Sequence, residues 1–136
     1  MSIKNKQILK TIITYTIIFT LAFILSLKIT HTYGLARVCG ESMEPTLQDG
    51  DILIVRLNQV PKDQDIIVLT SDGNDAFEHD ELVKRYYAER SNENQIWVEG
   101  DNKEESLDSR LAGTLNRENI NGIVVFDITK FFRDLF

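Results

Sequence analysis

The sequence predicts a mostly β domain behind an N-terminal transmembrane helix, on three observations. Residues Thr11 to Leu27 read TIITYTIIFTLAFILSL, with no charge, proline or glycine. Beyond them, short runs rich in Val, Ile, Leu and Tyr alternate with clusters of Gly, Asn, Asp and Pro, the chemistry of strands and turns. Helical periodicity is scarce in that part. The expected division is 1–28, a cytoplasmic N-terminus and anchor, and 29–136, an extracytoplasmic β domain.

The seventeen apolar residues cover ~26 Å as a helix, slightly less than a ~30 Å hydrocarbon core. Lys10 and Lys28 flank the run and can snorkel to the two interfaces. Three lysines precede it and a strongly acidic sequence follows, which puts the N-terminus in the cytoplasm and the rest outside. A cleaved signal peptide and a buried helix are the competing readings. The first wants a shorter core and a small-x-small site, and Gly34-Leu35-Ala36, the nearest candidate, lies well beyond the run. Ile29 to Ala36 reads as a short polar connection.

Five strands are then expected: Asp51 to Leu57 (DILIVRL), Asp65 to Leu69 (DIIVL), Leu82 to Ala88 (LVKRYYA), Gln95 to Val98 (QIWV) and Gly122 to Ile128 (GIVVFDI). Thr70 to Glu81, polar and acidic, reads as a loop. In the tail, Phe131, Phe132, Leu135 and Phe136 fall on one side of a possible helix. Such a face ordinarily closes the domain's own core; contact with a bilayer interface is the alternative.

The chain carries a net charge of −6, but residues 29–136 hold 11 basic against 21 acidic groups, a net charge of −10. Binding of nucleic acid is excluded on that ground, because it needs basic clusters that displace counterions. One cysteine, Cys39, allows no internal disulfide and is expected to be a buried structural thiol. Two histidines, His31 and His79, and one cysteine offer no zinc-like spacing, so no metal is expected. Neither histidine lies on an expected strand where a Ser-His-Asp triad could be held rigidly.

Residues 40–47 read GESMEPTL. Taken alone, Ser42 is either a turn residue or a nucleophile, since Ser-x-x-Pro before a strand is ordinary turn chemistry. A base for it would have to be a lysine. Lys84 stands in LVKRYYA, where alternation sends Leu82, Lys84 and Tyr86 to one face and Val83, Arg85 and Tyr87 to the other. By itself Lys84 also fits a surface lysine. To be substantially neutral near pH 7 to 8 its pKa must fall by roughly three units from 10.4, about 4 kcal/mol, through burial of the charge.

Four blocks occur in order: Ser42-Met43-x-Pro45-Thr46-Leu47; Gly50-Asp51 through Val55; Leu82-Val83-Lys84-Arg85; and Gly100-Asp101-Asn102 with Ser106-x-Asp108-Ser109-Arg110, closed by ENINGIVVF. Behind an anchor, this pattern resembles the bacterial type I signal peptidases, membrane-bound serine-lysine proteases, in a minimal Gram-positive-like form. The resemblance implies a signal-peptidase-like β domain in which Ser42 attacks the scissile carbonyl and Lys84 is its general base. It further implies that Ser106 donates its hydroxyl to the lysine amine, that Asp108 and Arg110 form a structural ion pair, and that Asp101 and Asn102 support that block. Pro45 would stiffen the loop after Ser42, and Met43 would help line shallow apolar pockets. Gly40 stands where some relatives place a serine that assists the backbone N–H of Ser42 at the oxyanion.

The implied activity is removal of signal peptides from exported preproteins after a small-x-small site, at the outer face of the cytoplasmic membrane, by a single-pass protein. The implied partners are those signal peptides and the lipid bilayer, with no cofactor. An assembly factor that binds pilin or surface-protein precursors without cutting them is the alternative, and a self-cleaving cytoplasmic repressor is opposed by the anchor. Only fifteen residues separate Lys84 from Gly100, too few for the second domain that some relatives insert there, and AERSNEN replaces the expected Pro-Gly-Asp. Glu41 and Glu44 flank Ser42-Met43, and a carboxylate close to Lys84 would favour the ammonium form.

Overall fold

A computed structural model describes residues 3–71 and 81–136. Residues 72–80, most of the loop expected over Thr70 to Glu81 and including His79, lie outside the described residues. The chain forms two compact units, Met1–Thr32 and Tyr33–Phe136.

The first unit is one helix, α1 (Ile3–Thr32). Its described side chains are all exposed, and its mean hydropathy reaches 2.1 over eighteen residues, so it is long and apolar enough to cross a membrane. Within the apolar stretch Thr11, Thr14, Thr16 and Thr20 donate their hydroxyls to the carbonyl four residues earlier, at 2.6–3.1 Å. Each hydroxyl is therefore satisfied inside the helix, as an apolar surrounding demands.

The second unit is a curled, seven-stranded antiparallel sheet in the order β1-β2-β7-β3-β4-β5-β6, so the mostly β class read from the sequence is the one observed. Its strands are β1 (Tyr33–Arg37), β2 (Ile52–Leu57), β3 (Ile66–Thr70), β4 (Glu81–Tyr87), β5 (Gln95–Glu99), β6 (Leu115–Asn116) and β7 (Ile120–Asp127). The short helix α2 (Ser109–Ala112) precedes β6, and α3 (Ile128–Leu135) ends the chain. The five expected strands are β2, β3, β4, β5 and β7, with ends moved by one or two residues. The polar connection expected over Ile29 to Ala36 is instead the last turn of α1 and most of β1. Tyr33 to Arg37 pairs along its whole length with Arg56 to Ile52, and that cross-strand ladder overrides a locally weak composition.

Alternation on the middle strand creates two cores. Val68 packs with Val38, Met43, Leu47, Leu53 and Val55, whereas its neighbours Ile67 and Leu69 pack with Tyr86, Ile96, Val98 and Leu115. Register shifts at Ile54/Val55 and Val68/Leu69 bend the sheet. The aromatic tail departs from expectation: Phe131, Phe132, Leu135 and Phe136 of α3 and its end are exposed and close no core.

Leu53→Ala is expected to lower stability by about 2–5 kcal/mol, because Leu53 is completely buried. Leu35→Ala, on the open face of edge strand β1, should change it by less than about 0.5 kcal/mol. Urea unfolding of the full chain in micelles measures both, and equal losses would contradict this placement of the core.

Candidate active site

Ser42 sits on a loop pinched shut at its base. Val38 and Asp51 bond across it, with Val38 N to Asp51 O and Gly50 N to Val38 O both 2.9 Å, and Gly40 N donates to Asp49 Oδ1 at 2.8 Å. Inside the loop a single helical turn, Leu47 N to Met43 O at 3.0 Å, follows the serine. Met43 and Leu47 on that turn are buried in the first core. The serine is thus carried by a turn whose apolar side chains are anchored, which is how a turn residue becomes a rigidly presented one. Gly40 has φ +83° with open space around its Cα, so backbone conformation, not crowding, favours glycine there.

Lys84 projects from β4 on the face shared with Tyr86, as alternation requires, and is 4% exposed. Its Nζ donates to Ser106 Oγ at 3.0 Å, and Ser106 Oγ donates to Asp108 Oδ2 at 2.7 Å. Asp108 is fully buried and also accepts from Gly100 N at 2.8 Å and from Arg110 Nε and Nη2 at 2.9 and 2.6 Å. Burial alone would raise its pKa, but Arg110, Gly100 N–H and the Ser106 hydroxyl together hold it at about 2. An ionised carboxylate accepts only, so the one Ser106 proton goes to Asp108 and the Ser106 oxygen receives a proton from Lys84. This direction is the reverse of the one the resemblance implies, in which Ser106 donates to the amine.

Burial lowers Lys84 to about 8; Asp108 opposes that shift and Arg110 reinforces it. The folded pKa lies below the unfolded value of 10.5. The penalty for burying the ammonium, about 3 kcal/mol, is therefore fully present below pH 8 and relieved as pH rises toward 10.5. Neutral Lys84 spends its N–H on Ser106 and keeps a lone pair to accept a proton.

Ser42 and Lys84 line one cleft of about 220 Å³, floored by apolar Val38, Met43, Leu82, Val83 and Leu107. Cys39 also lines it and is exposed, which corrects the expectation of a buried thiol: the chain has already left β1 and turned outward there. Glu41 is on the cleft wall, whereas Glu44 and Pro45 line a separate hollow with Asp101 and Asn102. The charges that set the lysine are Asp108 and Arg110.

Two further residues hold the site, and the sequence motifs contain both without assigning either a role. Arg85 clamps Asp101 through Nε at 2.7 Å and Nη2 at 2.6 Å, and Thr46 donates its hydroxyl to the same carboxylate, tying β4 to the serine loop. An arginine on a half-buried strand needs a carboxylate partner, which is the signal that was available. Gly100 is the second. A Cβ there would stand 2.1 Å from Ser106 Oγ and 2.5 Å from Ser42 O, while the next residue but one, Asn102, donates its N–H to Ser42 O at 3.0 Å. Gly100→Ala is expected to reduce activity by more than about 100-fold, because displacements of ~1 Å at a reacting group have that cost. Steady-state rates on protein shown to be folded by circular dichroism test it, and an active alanine variant would refute the close approach.

The Ser42 loop, β4 and the Gly100 to Arg110 segment thus converge on one cleft. No curated protein matches the chain. A family model described as Peptidase S24-like does match, over residues 7–125, and those residues include every group of the cleft. The match takes in most of the 136 residues, and the chain belongs to the peptidase S24-like family.

Proposed function

We propose that the chain is a membrane-anchored serine peptidase working through Ser42 and Lys84, and that it removes signal peptides from exported preproteins after a small-x-small site. Membership of a peptidase family supports serine-peptidase activity. The observation that carries the dyad is the buried Lys84 amine, poised at about 8 and oriented by Ser106, in the cleft that Ser42 lines. A lysine so placed is largely a surplus cost to folding unless its neutral form is used.

In the proposed reaction Lys84 Nζ takes the Ser42 proton as Oγ attacks the scissile carbonyl, and the tetrahedral oxyanion is met by the Ser42 backbone N–H. Gly40 N–H is already given to Asp49 and does not serve as its second donor. The lysine proton passes to the leaving amine, an acyl-enzyme remains, and Lys84 then takes a proton from the water that hydrolyses it and returns it to Ser42 Oγ as the acid product leaves. The small apolar cleft accommodates small side chains, which is why a small-x-small site is the favoured substrate class. With α1 spanning the cytoplasmic membrane, N-terminus inside, the cleft serves substrates on the outer side.

A preprotein cleavage assay on the full chain in lipid tests this. Ser42→Ala and Lys84→Ala should each lower the rate by at least about 10³-fold, and the double variant should be no worse than the singles, because the two groups act as a unit. Absence of cleavage by the wild type with retained binding of pilin precursors would favour an assembly factor instead, and cleavage confined to its own chain would favour a self-processing role.

The pH profile is a separate test. Log rate should rise with pH and level off near pH 8 as Lys84 loses its proton. Arg110→Gln removes a charge that depresses Lys84, so its profile should move to higher pH. A rate that is flat from pH 5 to 9 would contradict a lysine base.

A further inference from the structure

The loop that presents Ser42 is tied at its base to the last helix of the chain. Asp51, where the loop rejoins β2, is 2% exposed. Its carbonyl closes the loop by accepting from Val38 N, and its carboxylate Oδ2 accepts from Gln48 N at 2.8 Å, inside the loop. Oδ1 accepts from Arg133 Nη2 at 2.9 Å, and Arg133 Nη1 donates to the Gln48 side-chain oxygen. One guanidinium thus holds two loop residues that lie 82 and 85 positions before it.

The helix α3 is built to deliver that guanidinium. Asp127 caps it by accepting from Lys130 N at 2.9 Å, and Thr129 Oγ1 accepts from Ile52 N, at the start of β2, at 2.9 Å. Thr129 and Arg133 are four residues apart and share one side of the helix, so the side that meets β2 also meets Asp51. No residue of α3 lines the cleft, and the family match ends at residue 125, before α3 begins. Its link to the cleft runs through Arg133.

Arg133 makes the one ion pair of Asp51 among the described residues, with its own side chain 40% exposed against 2% for the carboxylate. Removing the cation leaves Oδ1 inside the fold without a donor, a large cost for a buried anion. The carboxylate must then turn toward water, and the Gln48 N–H and the end of the loop move with it. Ser42 lies in that same closed loop, where a displacement of ~1 Å at a reacting group costs about 100-fold. Val38 and Met43 stay packed in the first core, so the apolar floor that binds substrate persists.

We propose that Arg133 is a positioning residue for Ser42, acting through Asp51, so that the C-terminal helix belongs to the catalytic apparatus. The kinetic consequence rests on the reading of Ser42 as the nucleophile; the latch on the loop does not.

The test measures preprotein cleavage and amide hydrogen exchange on the full chain in lipid. Arg133→Gln is expected to lower kcat at least about 10-fold with KM within about two-fold, as loss of alignment without loss of binding requires. Exchange across residues 40–47 should quicken at least about three-fold. Asp51→Asn/Arg133→Gln removes the buried charge together with its partner, and both readouts should return to within about three-fold of the wild type. Arg133→Lys, which keeps the charge but loses the second nitrogen, should show the same pattern at smaller size and serves if the glutamine variant does not fold. A purely structural role would lower the urea midpoint and leave kcat and exchange of the folded protein unchanged, which would overturn the proposal. A loss that Asp51→Asn does not rescue would overturn it as well. If the wild type cuts no preprotein but exchange over residues 40–47 still follows the latch, the peptidase reading falls and the latch stands; if exchange does not follow it, both fall.

Discussion

One buried carboxylate organises this domain. Asp108 has no exposed surface, yet it stays ionised because two side chains and two backbone N–H groups converge on it. Its charge is balanced by Arg110, and that pair leaves a nearly neutral setting into which Lys84 is pressed through Ser106. A protonated lysine adds an uncompensated positive charge to this interior; a neutral one does not. The value of about 8 is the balance of burial and Arg110 against the attraction of Asp108. Losing the Asp–Arg pair would therefore change the chemistry of Lys84 as well as the folding of the segment.

The same segment sets where Ser42 lies. Three successive residues at the end of β5 each bind a different element: Gly100 N–H holds Asp108, Asp101 holds Arg85 and Thr46, and Asn102 N–H holds the Ser42 carbonyl. Serine and lysine come from elements more than forty residues apart, and neither element alone fixes their separation. The end of β5 does so, and the absence of a Cβ at Gly100 leaves the space that Ser106 and the Ser42 carbonyl occupy together. A three-residue Gly-Asp-Asn stretch that reads as loop punctuation is, in three dimensions, the bracket of the cleft.

Much of this was legible beforehand, and the failures have a common cause. Period-two alternation correctly placed Lys84 with Tyr86, and the apolar runs located five strands, because both are local properties of the chain. Edge strand β1 was missed because Tyr33-Gly34-Leu35-Ala36-Arg37 has little strand character of its own and is made a strand by pairing with β2. Cys39 was misplaced because burial of a thiol depends on where β1 ends. The direction of the Ser106 bond required knowing that Asp108 is ionised and within 2.7 Å. The Arg85–Asp101 clamp required the packing of β4 beside β5. Each of these is a long-range fact, set by which strands become neighbours.

Charge placement links the interior to the outer surface. Four of the seven arginines, Arg85, Arg90, Arg110 and Arg133, are spent on carboxylates within the fold, and Lys84 is buried. The cations that remain outward are few against a domain charge of −10, so the surface has no field that would draw it to anionic headgroups or polyanions. Arg133 joins surface and interior, since the cation that latches α3 is neutralised by Asp51, at the base of the loop that presents Ser42.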